Sequence, residues 1–407
     1  MNQVFSALAA GGHSVRLRGF SAIDCYLGLP PLPFVLAETS ADMAALARNA
    51  EDLRYPGVEI ADAAADTAEG TIYFRCLDRD DPIAEKYLFP LLSFSYDPQT
   101  RRFQDPMGVY PLLREIRARG NKFEEKSDVL SAKGIPKAVS PAGGSFLSPE
   151  GDWRRSIMGG ALLLSRYGLG TTDSQFLAGL ADKRQIDSGG AAPGIEAQRV
   201  FLDSLLVSPR PDLGLDMLKR SGLLEELWPE LACFDRVDHS KEYHPEGNVW
   251  NHTLETFRHR KAGANGSFDL RLSLGLLLHD AGKPISAANG SRRFDGHAEL
   301  GARAASRFLE RLEYGEPLIR DIYYLVKNHM LPAALKRLPF NKTGEIMASP
   351  LFPTLMELYR CDESSSFKGL DCYYENSAAY QTYLRNTKNP YRSADGKKMG
   401  KRAMLRR

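Results

Sequence analysis

Between Leu276 and Pro284 the sequence reads Leu-Leu-Leu-His279-Asp280-Ala-Gly-Lys283-Pro, an apolar helical run ending in an adjacent imidazole and carboxylate. Neighbouring helical residues point about 100° apart, so both can reach one ion lying off the helix terminus. Trp250-Asn251-His252-Thr253-Leu254 puts another histidine in the first turn of a second apolar-periodic helix. Arg360-Cys361-Asp362 places an acid near the end of the helical run Leu355 to Cys361. Two imidazoles and two carboxylates leave positions on a divalent ion open for water and substrate. Such a mixed nitrogen and oxygen set suits Mg, Mn, Fe, Co, Ni or Zn. His297 and His329 add two further donors, which either complete a site bridging two ions or bind substrate phosphate. Seven of the eight histidines fall between positions 239 and 329 (His239, His244, His252, His259, His279, His297 and His329), a concentration that favours metal chemistry. Lys283, one helical turn beyond His279, either offsets charge building on a phosphoryl group or serves as a cation matching a helix C-terminus.

The elements that must position these groups belong to an α+β chain. In the first 125 residues, Gly57-Val-Glu-Ile-Ala and Thr71-Ile-Tyr-Phe-Arg-Cys-Leu read as strands rich in β-branched and aromatic residues. Met43 to Asp52 reads as a helix capped by Thr39 or Ser40, and Asp97 to Thr100 as a hairpin turn. Residues 126–150, rich in Lys, Ser, Pro and Gly, read as a linker. From residue 151 onward the pattern is helical: a helix closed by Gly168, then Ala197 to Val207, Leu213 to Ser221 and Leu223 to Leu231. This predicts a mixed-sheet head at 1–125, a helical neck and body at 151–235, an all-α domain at 236–370 and a tail at 371–407. From Arg385 to Arg407 nine basic residues face one acid, Asp395. A basic arm of this kind suits a phosphate backbone, and a solvated, frayed end is the plainer alternative.

Composition narrows the classes. Of 407 residues, 43% are hydrophobic and 26% charged, the balance of a globular chain long enough for two to three domains. The net charge is only +2, so nucleic-acid affinity must come from local patches. The longest apolar runs fall far short of the roughly 20 residues a membrane helix needs. No signal peptide is evident at Met1 to Ala10, and five scattered cysteines without a Cys-x-x-Cys predict free thiols in a reducing cytoplasm. Oligomeric state is not legible.

The ordered set His252, His279, Asp280 and Asp362 resembles the H…HD…D pattern of the HD phosphohydrolase superfamily. His244-Pro-Glu-Gly-Asn-Val-Trp-Asn-His252-Thr-Leu looks like the HD domain attached to bacterial tRNA nucleotidyltransferases, the CCA-adding and poly(A) polymerase family. The resemblance extends to the head: Gly19-Phe-Ser-Ala-Ile-Asp24-Cys-Tyr-Leu-Gly28-Leu-Pro-Pro is similar to that family's GG-x-V-R-D-x-L-L-G-x-x-P signature. Ser95-Tyr96-Asp97-Pro98, Gln104-Asp105-Pro106-Met107-Gly108 and the neck helix Leu162-Leu-Leu-Ser-Arg166-Tyr-Gly-Leu follow it. In that setting the resemblance implies a metal-dependent phosphohydrolase acting on 2′,3′-cyclic phosphates, 2′-nucleotides or other phosphate esters. Its implied partners are RNA, including tRNA, or nucleotides. His252, His279, Asp280 and Asp362 would be its metal ligands, with Asp280 also orienting the nucleophile.

Nucleotidyl transfer needs two metal-binding carboxylates at D-x-D spacing, which a strand presents on one side. Here that slot is Pro33-Phe34-Val35, and the third acidic position falls in the neutral segment Lys86 to Ser93. Asp78 and Asp80 have D-x-D spacing but come late, in a polar turn with Asp81, and Gly11-Gly12 reads as a turn more readily than as a phosphate loop. The leading expectation is an HD phosphohydrolase joined to an inactive transferase-like head. An active CCA-adding enzyme with atypical carboxylates and a non-catalytic RNA-binding protein are the alternatives.

Overall fold

The computed structural model describes residues 2–56, 61–67, 70–77, 90–119, 153–169, 192–238, 247–291, 293–366 and 369–398. The chain divides into two compact units, residues 1–227 with 262–268, and residues 228–261 with 269–407.

The first unit is built on a seven-stranded sheet of order β3-β4-β5-β2-β1-β6-β7. Its strands are β1 (Val15–Arg18), β2 (Phe34–Thr39), β3 (Leu53–Arg54), β4 (Ala63–Thr67), β5 (Gly70–Cys76), β6 (Ser95–Asp97) and β7 (Arg102–Gln104). β2 and β5 run parallel, Phe34 opposite Thr71 through Thr39 opposite Cys76, and the other pairs are antiparallel. A parallel pair requires a crossover, which here is α3 (Met43–Asn49) followed by β3 and β4. β2 lies at the centre of the sheet, and its side chains are almost all buried. α1 (Asn2–Ala10) and α2 (Phe20–Leu27) flank β1, and α4 (Tyr110–Arg119) follows β7. Helices α5 (Trp153–Tyr167), α6 (Ile195–Leu206), α7 (Pro211–Ser221) and α8 (Leu223–Leu227) complete the unit.

Several local expectations are met and some corrected. The hairpin turn is held by Asp97, whose Oδ1 accepts from the amides of Gln99 (2.8 Å) and Thr100 (3.2 Å). The cap of α3 is neither Thr39 nor Ser40 but Asp42, whose carboxylate accepts from the Ala45 amide at 2.7 Å. Thr39 is still in β2, and its hydroxyl accepts from the Ala41 amide. Gly11 and Gly12 close α1 as a turn, with Gly12 at φ 80°. The helix expected over Leu223 to Leu231 breaks at Trp228, because Pro229 cannot continue it and begins α9 (Pro229–Ala232). The strand expected at Gly57 to Ala61 falls largely outside the described residues, as do the linker at 126–150, Asp78, Asp80 and Asp81.

The second unit is all helical. After α9 come α10 (Val249–Arg258), α11 (Leu270–Leu278), α12 (Lys283–Ala288), α13 (His297–Arg311), α14 (Glu316–Asn328), α15 (Phe340–Met347), α16 (Phe352–Ser364) and α17 (Asp371–Lys388). α11 is its axis: Leu272, Leu274, Leu276, Leu277 and Leu278 are all buried, and it packs on α10, α14 and α16. A Cβ on Gly275 would stand 3.0 Å from the Leu358 Cδ1, so a small residue there lets α16 approach closely. No helix among the described residues is long and apolar enough to cross a membrane.

Candidate metal centre

Each donor sits at a helix end or on a helix face turned to the same point. Asn248 caps α10 by accepting from the Asn251 amide at 2.9 Å, which starts the helix so that His252 lies in its first turn. Asp269 caps α11 from the other direction, accepting from the Arg271 amide at 2.8 Å. The helix then ends at Leu278, with His279 as its C-cap and Asp280 in the following turn. His297 is the first residue of α13, His329 the C-cap of α14, and Asp362 lies in the last turn of α16.

These side chains form two groups, His252 with His279 and Asp362, and Asp280 with His297 and His329. In the first, the His252 Nε2 is 3.3 Å from the His279 Nε2 and 3.0 Å from the Asp362 Oδ1. In the second, the His297 and His329 Nε2 atoms are 3.1 Å apart, and the Asp280 Oδ1 lies 3.7 Å and 3.9 Å from them. The other Asp280 oxygen, Oδ2, faces the first group, 3.3 Å from the His279 Nε2 and 3.9 Å from the His252 Nε2. Ligand bonds of about 2.1 Å give donor separations of about 3.0 Å on an octahedral edge and about 3.4 Å on a tetrahedral one. The spacings of 3.0–3.3 Å have that size and three of those to Asp280, at 3.7–3.9 Å, are wider; Asp280 stands between the groups with one oxygen on each.

The tautomers point the same way. The Nδ1 atoms of His279, His297 and His329 are 2.8, 2.9 and 2.7 Å from the carbonyls of Leu276, Phe294 and Val326, so each Nδ1–H donates to its carbonyl. The His252 Nδ1 lies 3.3 Å from the Ser365 hydroxyl, which itself donates to the Asp362 carbonyl at 2.6 Å and therefore accepts from the ring. All four Nε2 atoms are thus left as lone pairs aimed inward, which repel one another unless a cation lies among them. Burial drives the His329 pKa down to about 4 and lowers that of His297, keeping both rings neutral at pH 7. Burial raises the pKa of Asp280, yet Lys283 and His279 outweigh it and hold the carboxyl well below its usual range. For Asp362, burial is likewise outweighed, chiefly by His252, 3.0 Å away, and its pKa is lowered. The donors offer what a divalent ion requires: neutral imidazoles and ionised carboxylates.

Lys283 reaches the Asp280 Oδ2 at 2.6 Å and lies over the Phe294 ring. It opens α12, so the reading of it as a C-terminal cation is corrected: at a helix N-terminus the dipole opposes a cation, and the Asp280 carboxylate holds it there instead. Gly282, between them, is a contact the sequence reading missed. A Cβ there would stand 1.9 Å from the His297 carbonyl oxygen and 2.5 Å from the Gly301 amide, so only glycine lets α13 bring His297 to the centre. The centre is open on one side: the side chains of Asp362 (24%), His297 (13%) and Lys283 (14%) retain exposure, while His252, His279, His329 and Asp280 retain 2% or less. Of the remaining histidines, His259 stands apart, 3.6 Å from Glu255, and His239 and His244 lie outside the described residues.

The head presents the opposite picture. Phe34 and Val35 are buried in the sheet, Phe34 against the Tyr73 ring, so the D-x-D slot is apolar. The one acid of β2, Glu38, is buried in an ion pair with Arg18, whose guanidinium also donates to the Ser93 carbonyl. Asp24 accepts from Arg166 at 2.7 and 2.8 Å and from the Tyr167 hydroxyl at 2.8 Å.

An all-helical unit with two imidazole and carboxylate groups flanking one Asp is the arrangement of an HD domain, and the HD domain family model matches residues 249–351. Over part of its length the chain is also similar to tRNA nucleotidyltransferases. It is 33% identical over 178 residues to the CC-adding tRNA nucleotidyltransferase of Thermus thermophilus, covering 42% of this chain and 40% of that one. It is 30% identical over 170 residues to the Multifunctional CCA protein of Halorhodospira halophila, covering 40% of each. The aligned stretch thus spans about 40% of these curated relatives. A solved tRNA-processing enzyme, apo form 2, superposes with a TM-score of 0.48 at 13% identity, covering 99% of this chain and 97% of that one.

Proposed function

We propose that the second unit is a metal-dependent phosphohydrolase for phosphate esters of nucleotides or RNA ends. The observation that carries it is Asp280, whose two oxygens each face a separate pair of imidazoles. His252, His279 and Asp362 would hold one divalent ion and His297 with His329 a second, Asp280 being common to both. Ions so bound supply a water of lowered pKa and polarise a phosphoryl oxygen. The chain's own groups do the rest. Asp280 orients the attacking water, and Lys283, held beside it, donates a hydrogen bond to the phosphoryl oxygen on which charge builds. The exposed edges of Asp362 and His297 leave the ester a way in. Water adds its oxygen to phosphorus, one P–O ester bond breaks, and the departing alkoxide takes up the proton that the water releases. This domain would span 236–370, behind a head at 1–125 and a neck at 151–235.

Metal analysis of the purified chain, then 2′,3′-cyclic and 2′-nucleotide substrates with Mn, Ni, Co or Mg, tests this reading. It expects hydrolysis that Asp280→Ala abolishes, and a variant as fast as the parent overturns it.

A second reading, transfer of CMP or AMP to a tRNA end by the first unit, is supported by the activities the two relatives are named for. Against it stands the apolar slot at 33–35. Labelled CTP and ATP with tRNA lacking its 3′ end decide the matter, and no incorporation leaves the head as scaffold.

A further inference from the structure

α17 is an 18-residue helix with a single buried residue, Asn376. Its inner face is anchored by rings: Tyr380 lies 4.5 Å from Phe352, Tyr383 6.0 Å from Phe340, and Tyr373 5.9 Å from Tyr359. Its outer face is different. Tyr374 is 62% exposed, and Arg385, eleven residues and three turns later, falls on the same stripe. Beyond α17 the described chain, to residue 398, forms a hairpin. Arg392 bridges Lys398, the Ser393 amide donates to the Lys397 carbonyl at 2.9 Å, and Gly396 turns the chain at φ 84°. The hairpin's one acid, Asp395, is already held by Ser393 and Lys397, so the cations dominate. Beside them Tyr391 is 65% exposed. Of the six large apolar side chains exposed among the described residues, Tyr374 and Leu384 lie on α17, Tyr374 beside Asp371 and Glu375, and Tyr391 lies in the basic stretch that begins at Arg385.

We propose that α17 and its hairpin form a docking surface for single-stranded RNA, with Tyr374 and Tyr391 stacking on bases and Arg385, Arg392 and Lys398 facing phosphates. The proposal rests on the reading that this chain acts on nucleic-acid phosphates, and it adds the surface that holds them. One exposed ring beside cations, Tyr391, and a second three turns along the same helix from Arg385, Tyr374, fit an unpaired strand, whose bases offer open faces; a duplex has its bases already stacked. α17 packs on α16, the helix that carries Asp362, so strand and metal centre would share one unit.

The test is fluorescence anisotropy with the full chain, a labelled 12-nucleotide single strand, a 12-base-pair RNA duplex and phosphatidylserine vesicles. The double variant Tyr374→Ala, Tyr391→Ala should bind the single strand about tenfold more weakly and the duplex unchanged. The triple variant Arg385→Ala, Arg392→Ala, Lys398→Ala should lower the slope of log affinity against log salt by about 2. Both should keep the parent's metal content and thermal midpoint, which shows that the fold is intact. Parental affinity and slope in both variants overturn the proposal, as does equal loss on strand and duplex in the tyrosine variant. Vesicle binding that the triple variant abolishes, with RNA binding untouched, makes the surface a membrane contact and also overturns it. Because binding is read without turnover, a chain that binds RNA but hydrolyses nothing sinks only the phosphohydrolase.

Discussion

The metal centre and the transferase-like slot are both built from buried polar groups, yet they solve the problem of burial in opposite ways. In the head every described buried acid near the slot has its own cation: Glu38 has Arg18, and Asp24 has Arg166 with the Tyr167 hydroxyl. The charge of these two acids is cancelled within the protein. In the HD unit four Nε2 lone pairs and two carboxylates converge with one lysine among them. Added positive charge would stabilise such a set. Internally paired acids are already neutralised, whereas convergent donors with few cations among them are disposed to take up a cation.

The widest separation between the regions should come from Asp280→Ala. It removes a donor common to both groups, so metal content should fall and hydrolysis should drop by more than the roughly 100-fold typical of losing an outer partner. Elemental analysis and initial rates check this, and retained metal would remove the contrast. In the head, Asp24→Ala should cost about 3–5 kcal/mol by leaving Arg166 buried and unpaired, with metal content unchanged. Denaturant melts read the first and elemental analysis the second. Gly282→Ala forces the turn after Asp280 away from α13, at a cost of about 3 kcal/mol, and should loosen the His297 and His329 group before the other. A metal titration with two resolvable steps would record the selective loss. The smallest effect is on pH. An unfolded His329 takes its proton near the ordinary 6.5, whereas burial holds the folded group to about 4. The unfolded state therefore binds more protons in that window, and metal-free stability should fall as pH drops from about 6.5 toward 4, by at most about 3 kcal/mol. Thermal midpoints of parent and His329→Gln across that range test it.

Much of the centre was legible because its donors sit at helix ends with readable signals. Leu270 to Leu278 is continuously apolar but for Arg271 and Ser273, and it stops at His279; Asn248 and Asp269 announce their helices. The roles of His297 and His329 were left open, as second-ion ligands or phosphate contacts, because no spacing in sequence says that residues 32 apart meet at 3.1 Å. The cap of α3 was misplaced by two or three residues because Thr39, Ser40 and Asp42 all carry capping oxygens, and only the path out of β2 selects among them.

The order of residue types by itself determined the α+β division, the helix ends bearing His279 and Asp362, and the lack of acids at 33–35, since these follow from local periodicity and chemistry. Tertiary structure alone decided that Asp280 would divide its oxygens between two imidazole pairs, that Gly282 would touch α13, and that Arg166 would reach across 142 positions to Asp24. Such meetings depend on how helices and sheet pack, which one-dimensional spacing does not encode.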